Sequence, residues 1–134
     1  MAFNDKFRLS SHAVIVDEDN RVLLLKSTYG DKHWGLPGGG LDMGETIHEA
    51  LVRECREELS IEVEIKYLSG VYYHKAYDSQ AFIFRCELTD MALICLSDEH
   101  SDFKFEAIED LPPVQRQRVR DCLEFDGQVV SDKF

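Results

Sequence analysis

Four glutamates, Glu45, Glu54, Glu57 and Glu58, are the residues of this chain best placed to do chemistry, and they follow a run of three glycines, Gly38, Gly39 and Gly40. Glu54, Glu57 and Glu58 stand three and four positions apart, the spacing that brings side chains together on neighbouring turns of a helix. Like charges so placed repel, and a sequence written for stability alone would put Lys or Arg at some of these positions. Converging carboxylates supply hard oxygen donors, which suit Mg²⁺ or Mn²⁺. Arg53 precedes Glu57 by one turn and can pair with it or with Glu45, holding a carboxylate in place. The glycines allow a ligand to come close to main-chain N–H groups.

These groups need a helix to hold them, and residues 45–59 read as one. At about 100° per residue, Ile47, Leu51, Val52, Cys55 and Leu59 share a broad apolar face, with the carboxylates along its edge. His48 falls near that face and reads as a packed or partly exposed side chain rather than a ligand. Upstream, residues 9–16 and 21–26 read as the two strands of a hairpin, with Asp17 to Asn20 as the turn. Its acids alternate, but Arg21 and the lack of a following glycine exclude an EF-hand loop. Residues 27–32 form a polar loop. Downstream, residues 60–73 alternate as a strand interrupted at Ser69-Gly70, and 80–88 is a strand with Phe82, Phe84 and Cys86 on one face. Residues 91–96 read as a short strand or a loop, 97–102 as a polar loop and 103–108 as a strand. Pro112 and Pro113 suit the first turn of a last helix running to about residue 125, and 128–134 is a tail.

At 134 residues, with 44% hydrophobic residues and no repeat or linker, the chain is expected to form one domain over residues 1–134. The formal net charge of −11 argues against a large nucleic-acid partner and against docking on anionic membranes. A small phosphorylated substrate stays open, because bound cations reverse the local sign. The first ten residues lack the apolar core of a leader peptide, and no apolar run is long enough to span a bilayer. The four cysteines show no metal-like spacing, so they read as reduced thiols and place the chain in the cytoplasm.

Written by spacing, the central stretch is Gly39, five residues, Glu45, seven residues, Arg53-Glu54-Cys55, one residue, Glu57-Glu58, one residue, Ser60-Ile61. It closely resembles the Nudix box, G-x5-E-x7-R-E-U-x-E-E-x-G-U, where U is a bulky aliphatic residue. Cys55 departs at one aliphatic position and Ser60 at the second glycine. The preceding WGLPGG and the later FKFEAIEDL also look like segments of that family. The resemblance implies an α/β/α sandwich around a mixed sheet, with the box as a loop-helix-loop catalytic motif. It implies metal-dependent hydrolysis of a pyrophosphate bond in a nucleoside diphosphate linked to another group.

Carried over, Glu54, Glu57 and Glu58 become the metal ligands, with Arg53 and Glu45 as the pair that orients them. Gly38, Gly39 and Gly40 become the backbone that meets metal or phosphate. Some members add a carboxylate from a distant loop; Glu99 is the candidate here, with Asp98 and His100 as alternatives. A proline expected in ADP-ribose-type members is replaced by Ala76. Tyr77 stands where dinucleotide polyphosphate hydrolases carry a tyrosine, and an aromatic there can stack on any base. Nucleoside triphosphates, dinucleotide polyphosphates and nucleotide sugars stay open as substrates. Arg8, His12, Lys26, His33 and Lys75 are further candidates to meet phosphate or base. Family analogy adds a homodimer as an expectation. The competing function is a non-catalytic nucleotide sensor of the same fold, which usually lacks the box carboxylates that this chain keeps.

Overall fold

The computed structural model describes residues 2–30 and 32–134. Its frame is a five-stranded mixed sheet in the order β4-β1-β6-β5-β8. The strands are β1 (Arg8–Val14), β4 (Gly38–Gly40), β5 (Val63–His74), β6 (Ser79–Leu88) and β8 (Val130–Lys133). β1 runs parallel to β6, and β8 parallel to β5, while β4 and β5 pair antiparallel with their other neighbours. A second, three-stranded sheet joins β3 (Trp34–Gly35), β2 (Val22–Ser27) and β7 (His100–Glu106) in that order.

Two helices cover opposite faces of the large sheet. Helix α1 (Ile47–Leu59) packs Leu51, Cys55 and Leu59 on Ala13, Ile15, Phe84 and Cys86. Helix α2 (Pro113–Leu123) packs Val119 and Cys122 on Val14, Tyr72 and Ile83. Neighbouring strand residues, Ala13 against Val14 and Ile83 against Phe84, point to opposite sides, so each strand feeds both cores. The β2 run Val22-Leu23-Leu24-Leu25 does the same, with Leu23 and Leu25 in one core and Val22 and Leu24 in the other. Truncating a fully buried leucine such as Leu51 or Leu59 to alanine costs roughly 2–5 kcal/mol in such a setting. No helix among the described residues is long and apolar enough to cross a membrane.

Several elements differ from the sequence expectation. Residues 9–16 and 21–26 do not form a hairpin within one sheet. Both edges of β1 are taken by β4 and β6, so the chain crosses into the small sheet, and only a Val16–Val22 bridge and the Leu23 N–H to Ile15 O bond join the two segments. The Gly38–Gly40 run forms a strand, registered against Ser10, Ser11 and His12. β5 continues through Ser69-Gly70, where a register shift absorbs the irregularity. His100, Ser101 and Asp102 belong to β7. The 128–134 tail holds β8, which leans on β5 and stacks Phe134 on Tyr72 with ring centroids 6.0 Å apart. Of the loop expected over 27–32, Asp31 lies outside the described residues.

Candidate active site

Helix α1 opens on a capping box. Thr46 Oγ1 accepts the Glu49 N–H at 3.1 Å, and the Glu49 carboxylate accepts the Thr46 N–H at 3.0 Å. It closes on Ser60, which holds the left-handed conformation at φ 60° and sends its N–H to Arg56 O. That is the conformation glycine would adopt without strain. Here Ser60 Oγ also donates to Cys95 O at 2.9 Å, a tie glycine could not make. With the helix fixed at both ends and its apolar face buried, Arg53, Glu54, Glu57 and Glu58 lie along the flank that meets β4.

Arg53 organises this flank. Its Nε and Nη2 donate to the two Glu45 oxygens at 2.7 and 3.0 Å. Nη1 donates to Glu54 at 3.0 Å and Glu57 at 3.3 Å, and Nη2 also reaches Gly40 O at 3.0 Å. Glu45 in turn accepts the Asp42 N–H at 2.7 Å, and the guanidinium first, then that N–H, holds its carboxyl below the usual range. Arg53 thus joins Glu45, Glu54, Glu57 and the Gly40 carbonyl in one network.

Glu58 is the buried carboxyl, 4% exposed. One oxygen accepts the Gly38 N–H at 2.7 Å, and the other lies 3.3 Å from His100 Nε2. Burial pushes its pKa up to about 8; the Gly38 N–H works against that, and the charges of Glu54, Glu99 and Glu57 add to it. Burial also lowers His100. Both shifts favour a neutral contact over an ion pair. Burial likewise raises Glu54, opposed by Arg53. Glu57 is the exposed member, with its side chain 57% accessible.

Gly38 and Gly39 sit where an added side chain would meet close neighbours. At Gly39 an added Cβ would fall 2.7 Å from the Glu54 carboxyl carbon. At Gly38, where φ is +134°, it would fall 2.1 Å from Ser11 O. Glu99 is exposed, and its turn is pinned by the Thr28 N–H to Glu99 O bond and the Thr28 hydroxyl to Asp98 O bond, both 2.9 Å. Its charge acts on Glu54 and Glu58, but His100 is the member of that loop in direct contact with the carboxylates.

Among the described residues no group of three or more His, Cys, Asp or Glu side chains is arranged to hold a metal ion. Arg53 draws Glu54 and Glu57 to itself, while Gly38 and His100 hold Glu58. The donor chemistry nevertheless fits a hard divalent cation. Arg53 gathers Glu45, Glu54 and Glu57, the Glu54 and Glu58 carboxyls are pushed toward protonation by burial and by neighbouring carboxylates, and Gly39 leaves the Glu54 head a cradle that any side chain would fill.

A cleft of about 660 Å³ opens beside these groups. Its floor is the α2-side face of the large sheet, with Arg8, Ser10 and His12 from β1, Ser79 and Ala81 from β6, and His74 from β5. Glu58 reaches it from the other face, around the β4 edge. Tyr77 stands at its mouth, 64% exposed. Of the further candidates, Arg8, His12 and His33 line the cleft, whereas Lys26 lies 6.0 Å from the Trp34 ring and Lys75 ties its N–H to Phe134 O. Sequence reasoning missed His74, Gln115 and Arg118, which also line it.

This fold and this carboxylate helix define a class, and the comparisons agree on it. The NUDIX domain family model matches residues 6–124, and the chain belongs to that family. It is 39% identical over 74 residues to the ADP-ribose pyrophosphatase of Methanocaldococcus jannaschii, covering 50% of this chain and 44% of that protein. It is 30% identical over 128 residues to the RNA pyrophosphohydrolase of Hamiltonella defensa, covering 95% of this chain and 76% of that protein. The solved MutT NUDIX hydrolase of Burkholderia pseudomallei superposes with a TM-score of 0.73 at 27% identity, covering 87% of this chain and 98% of that one. The chain spans about half the length of two of the curated relatives it matches.

Proposed function

We propose that this chain hydrolyses a pyrophosphate bond in a small nucleotide, a nucleoside diphosphate linked to another group, with Mg²⁺ or Mn²⁺. The observation that carries the proposal is the flank of α1: Glu54 and Glu57 held by the Arg53–Glu45 pair and Glu58 held by the Gly38 N–H, all beside the β4 glycines at the edge of a cleft large enough for a nucleotide. Relatives in the same family act on phosphoanhydrides, as the ADP-ribose pyrophosphatase and RNA pyrophosphohydrolase names state.

Glu54, Glu57 and Glu58 would hold the cation, with a main-chain carbonyl of the Gly38–Gly40 strand as a further donor. Bound there, it would neutralise phosphate charge and acidify a water. The protein's own share is positional. Arg53 fixes the spread of Glu54 and Glu57, and the Gly38 N–H fixes the Glu58 head. The open glycine strand admits phosphate to the backbone, and Glu99 adds a carboxylate near enough to act on Glu54 and Glu58. The test is phosphate release from a nucleotide panel with Mg²⁺, repeated in EDTA and with Glu57→Gln. Glu57 is exposed, so this variant is expected to keep the fold and lose turnover by orders of magnitude. Undiminished turnover of the variant, or full activity in EDTA, would sink the assignment.

A further inference from the structure

Helix α2 faces the sheet with residues 115, 118, 119 and 122, the i, i+3, i+4, i+7 repeat of a buried stripe. Its second half is apolar, as a core contact demands, with Val119 and Cys122 fully buried. Its first half is Gln115 and Arg118, and both line the cleft. Gln115 Oε1 and Arg118 Nε are buried without a hydrogen-bond partner among the described residues. Arg118 lies over the Tyr72 and Phe134 rings at 5.6 and 5.7 Å, with no carboxylate within ion-pair distance among those residues. Burial lowers its pKa, the direction expected for a guanidinium taken from water without a partner. Unpaired donors and acceptors in a core stripe are costly, and such conflicts between pattern and packing collect where a ligand completes the bonding.

The polarity of the orphans says what kind of ligand fits. An ionised phosphate would satisfy Arg118 but not the Gln115 carbonyl, which needs a donor. A nucleobase edge carries donors and acceptors side by side. The floor below is made small by Ser10, Ser79 and Ala81, which leaves room for a flat ring. His74 and Tyr77, with ring centroids 4.9 Å apart, offer aromatic faces at the open end. From β4 to β5 the floor crosses three strand spacings, about 14 Å, so a nucleoside can extend under α2 from phosphates held at the glycine strand.

Accepting the pyrophosphohydrolase reading above, we infer that Gln115 and Arg118 read the nucleobase of the substrate and that guanine is the base they fit. Guanine presents O6 and N7 as adjacent acceptors, which a guanidinium meets with two parallel N–H bonds. Its N1–H supplies the donor that the Gln115 carbonyl lacks. Adenine places an amino group where Arg118 needs an acceptor.

The experiment compares kcat/KM for guanosine and adenosine triphosphates in the parent, Gln115→Ala, Arg118→Ala and Arg118→Lys. Calorimetric titration with the two nucleoside monophosphates runs in parallel, since it does not depend on turnover. The parent is expected to favour guanine by roughly tenfold. Both alanine variants should bring that ratio close to one, chiefly through KM, and lysine should not restore it because it lacks the planar fork. A parent that hydrolyses nucleotides with the same base ratio in all variants overturns the base-reading role and leaves the pyrophosphohydrolase reading standing. A parent that hydrolyses neither triphosphate counts against that reading for these substrates. The titrations then decide the base site: guanine-selective binding lost in Gln115→Ala supports it, and equal binding of the two monophosphates overturns it. Should Arg118→Ala fail to fold, Gln115→Ala and Arg118→Lys carry the comparison.

Discussion

Replacing Gly39 with alanine separates the site from the scaffold. The new Cβ would fall 2.7 Å from the Glu54 carboxyl carbon and 2.8 Å from both its oxygens. Ordinary contact begins near 3.4 Å, so the carboxylate head has to retreat by about 0.7 Å. The head sits at the end of a flexible side chain, and Gly39 is not among the residues with positive φ, so no backbone strain is added. The fold should therefore lose about 1 kcal/mol, the low end of the overpacking range. Function should suffer far more, because displacing a positioned group by about 1 Å can cost on the order of 100-fold in rate. The assay is turnover of the best nucleotide at saturating Mg²⁺, beside a thermal melt. Gly38→Ala is the control with the opposite profile. Its Cβ meets the Ser11 carbonyl at 2.1 Å and its φ is +134°, so it should unfold the β1–β4 pairing. If Gly39→Ala turned over at the parental rate, the Glu54 head would not be a working part of the site and the reasoning would fail.

Arg53→Lys should cut turnover by about tenfold or more at a stability cost near 1 kcal/mol, since an ammonium cannot serve Glu45, Glu54, Glu57 and Gly40 O together; kinetics beside a urea titration checks both. Glu99→Gln is expected to lower turnover while divalent-cation binding, followed by calorimetry, persists; kinetics equal to the parent's would make the 97–99 turn merely structural. His12 is held neutral, first by burial and then by Arg118, with its pKa down at about 4 against 6.5. A depressed histidine stabilises fully above the unfolded value and loses that contribution as pH falls through 6.5 toward 4. The loss approaches about 3 kcal/mol, and His12→Gln should flatten that part of the pH–stability curve measured by denaturant titration. Ser60→Gly should change stability by less than about 1 kcal/mol, because relief of the left-handed backbone offsets loss of the Cys95 bond, whereas Ser60→Ala loses the bond without the relief.

The α1 flank was legible because one helix carries its own logic. The spacing of Glu54, Glu57 and Glu58, and the presence of Arg53 to hold them, are local facts that the 3.6-residue period converts directly into geometry. Pairing partners are not local. Residues 9–16 and 21–26 carry the alternation and turn chemistry of a hairpin, and nothing within them says that β6, some seventy positions away, takes the free edge of β1 in parallel register. The same holds for β4. Three glycines read as a turn when taken alone, and become a strand because β1 offers Ser10, Ser11 and His12 to pair with. The tail became β8 because Val130–Lys133 finds the exposed edge of β5, and Phe134 then covers Tyr72. Ser60 was visible as a departure, but its compensation through Cys95 O joins residues thirty-five apart and so had no signal in the sequence.

The α2 half of the cleft was hidden for a different reason. Its residues come from β1, β5, β6 and α2, each contributing between one and four side chains, and no spacing is common to the four elements. Arg8, His12 and His33 could be suspected by type, but His100 was weighed only as an alternative to Glu99, and its contact with Glu58 depends on where β7 begins. Helix α2 carries one signal of it. Helix α2 has a regular buried stripe, yet Gln115 and Arg118 occupy two of its positions, where Val or Leu would pack better. A polar residue on the solvent face of a helix says nothing, whereas a polar residue in register with its buried face needs a partner. The fold supplies none among the described residues for Gln115 Oε1 or Arg118 Nε. The Glu54–Glu57–Glu58 cluster violates stability patterning in the same way, by gathering like charges. The two violations stand at the β4 edge and beneath α2 of one cleft, as expected if a single ligand, anionic at one end and able to donate and accept hydrogen bonds at the other, resolves both.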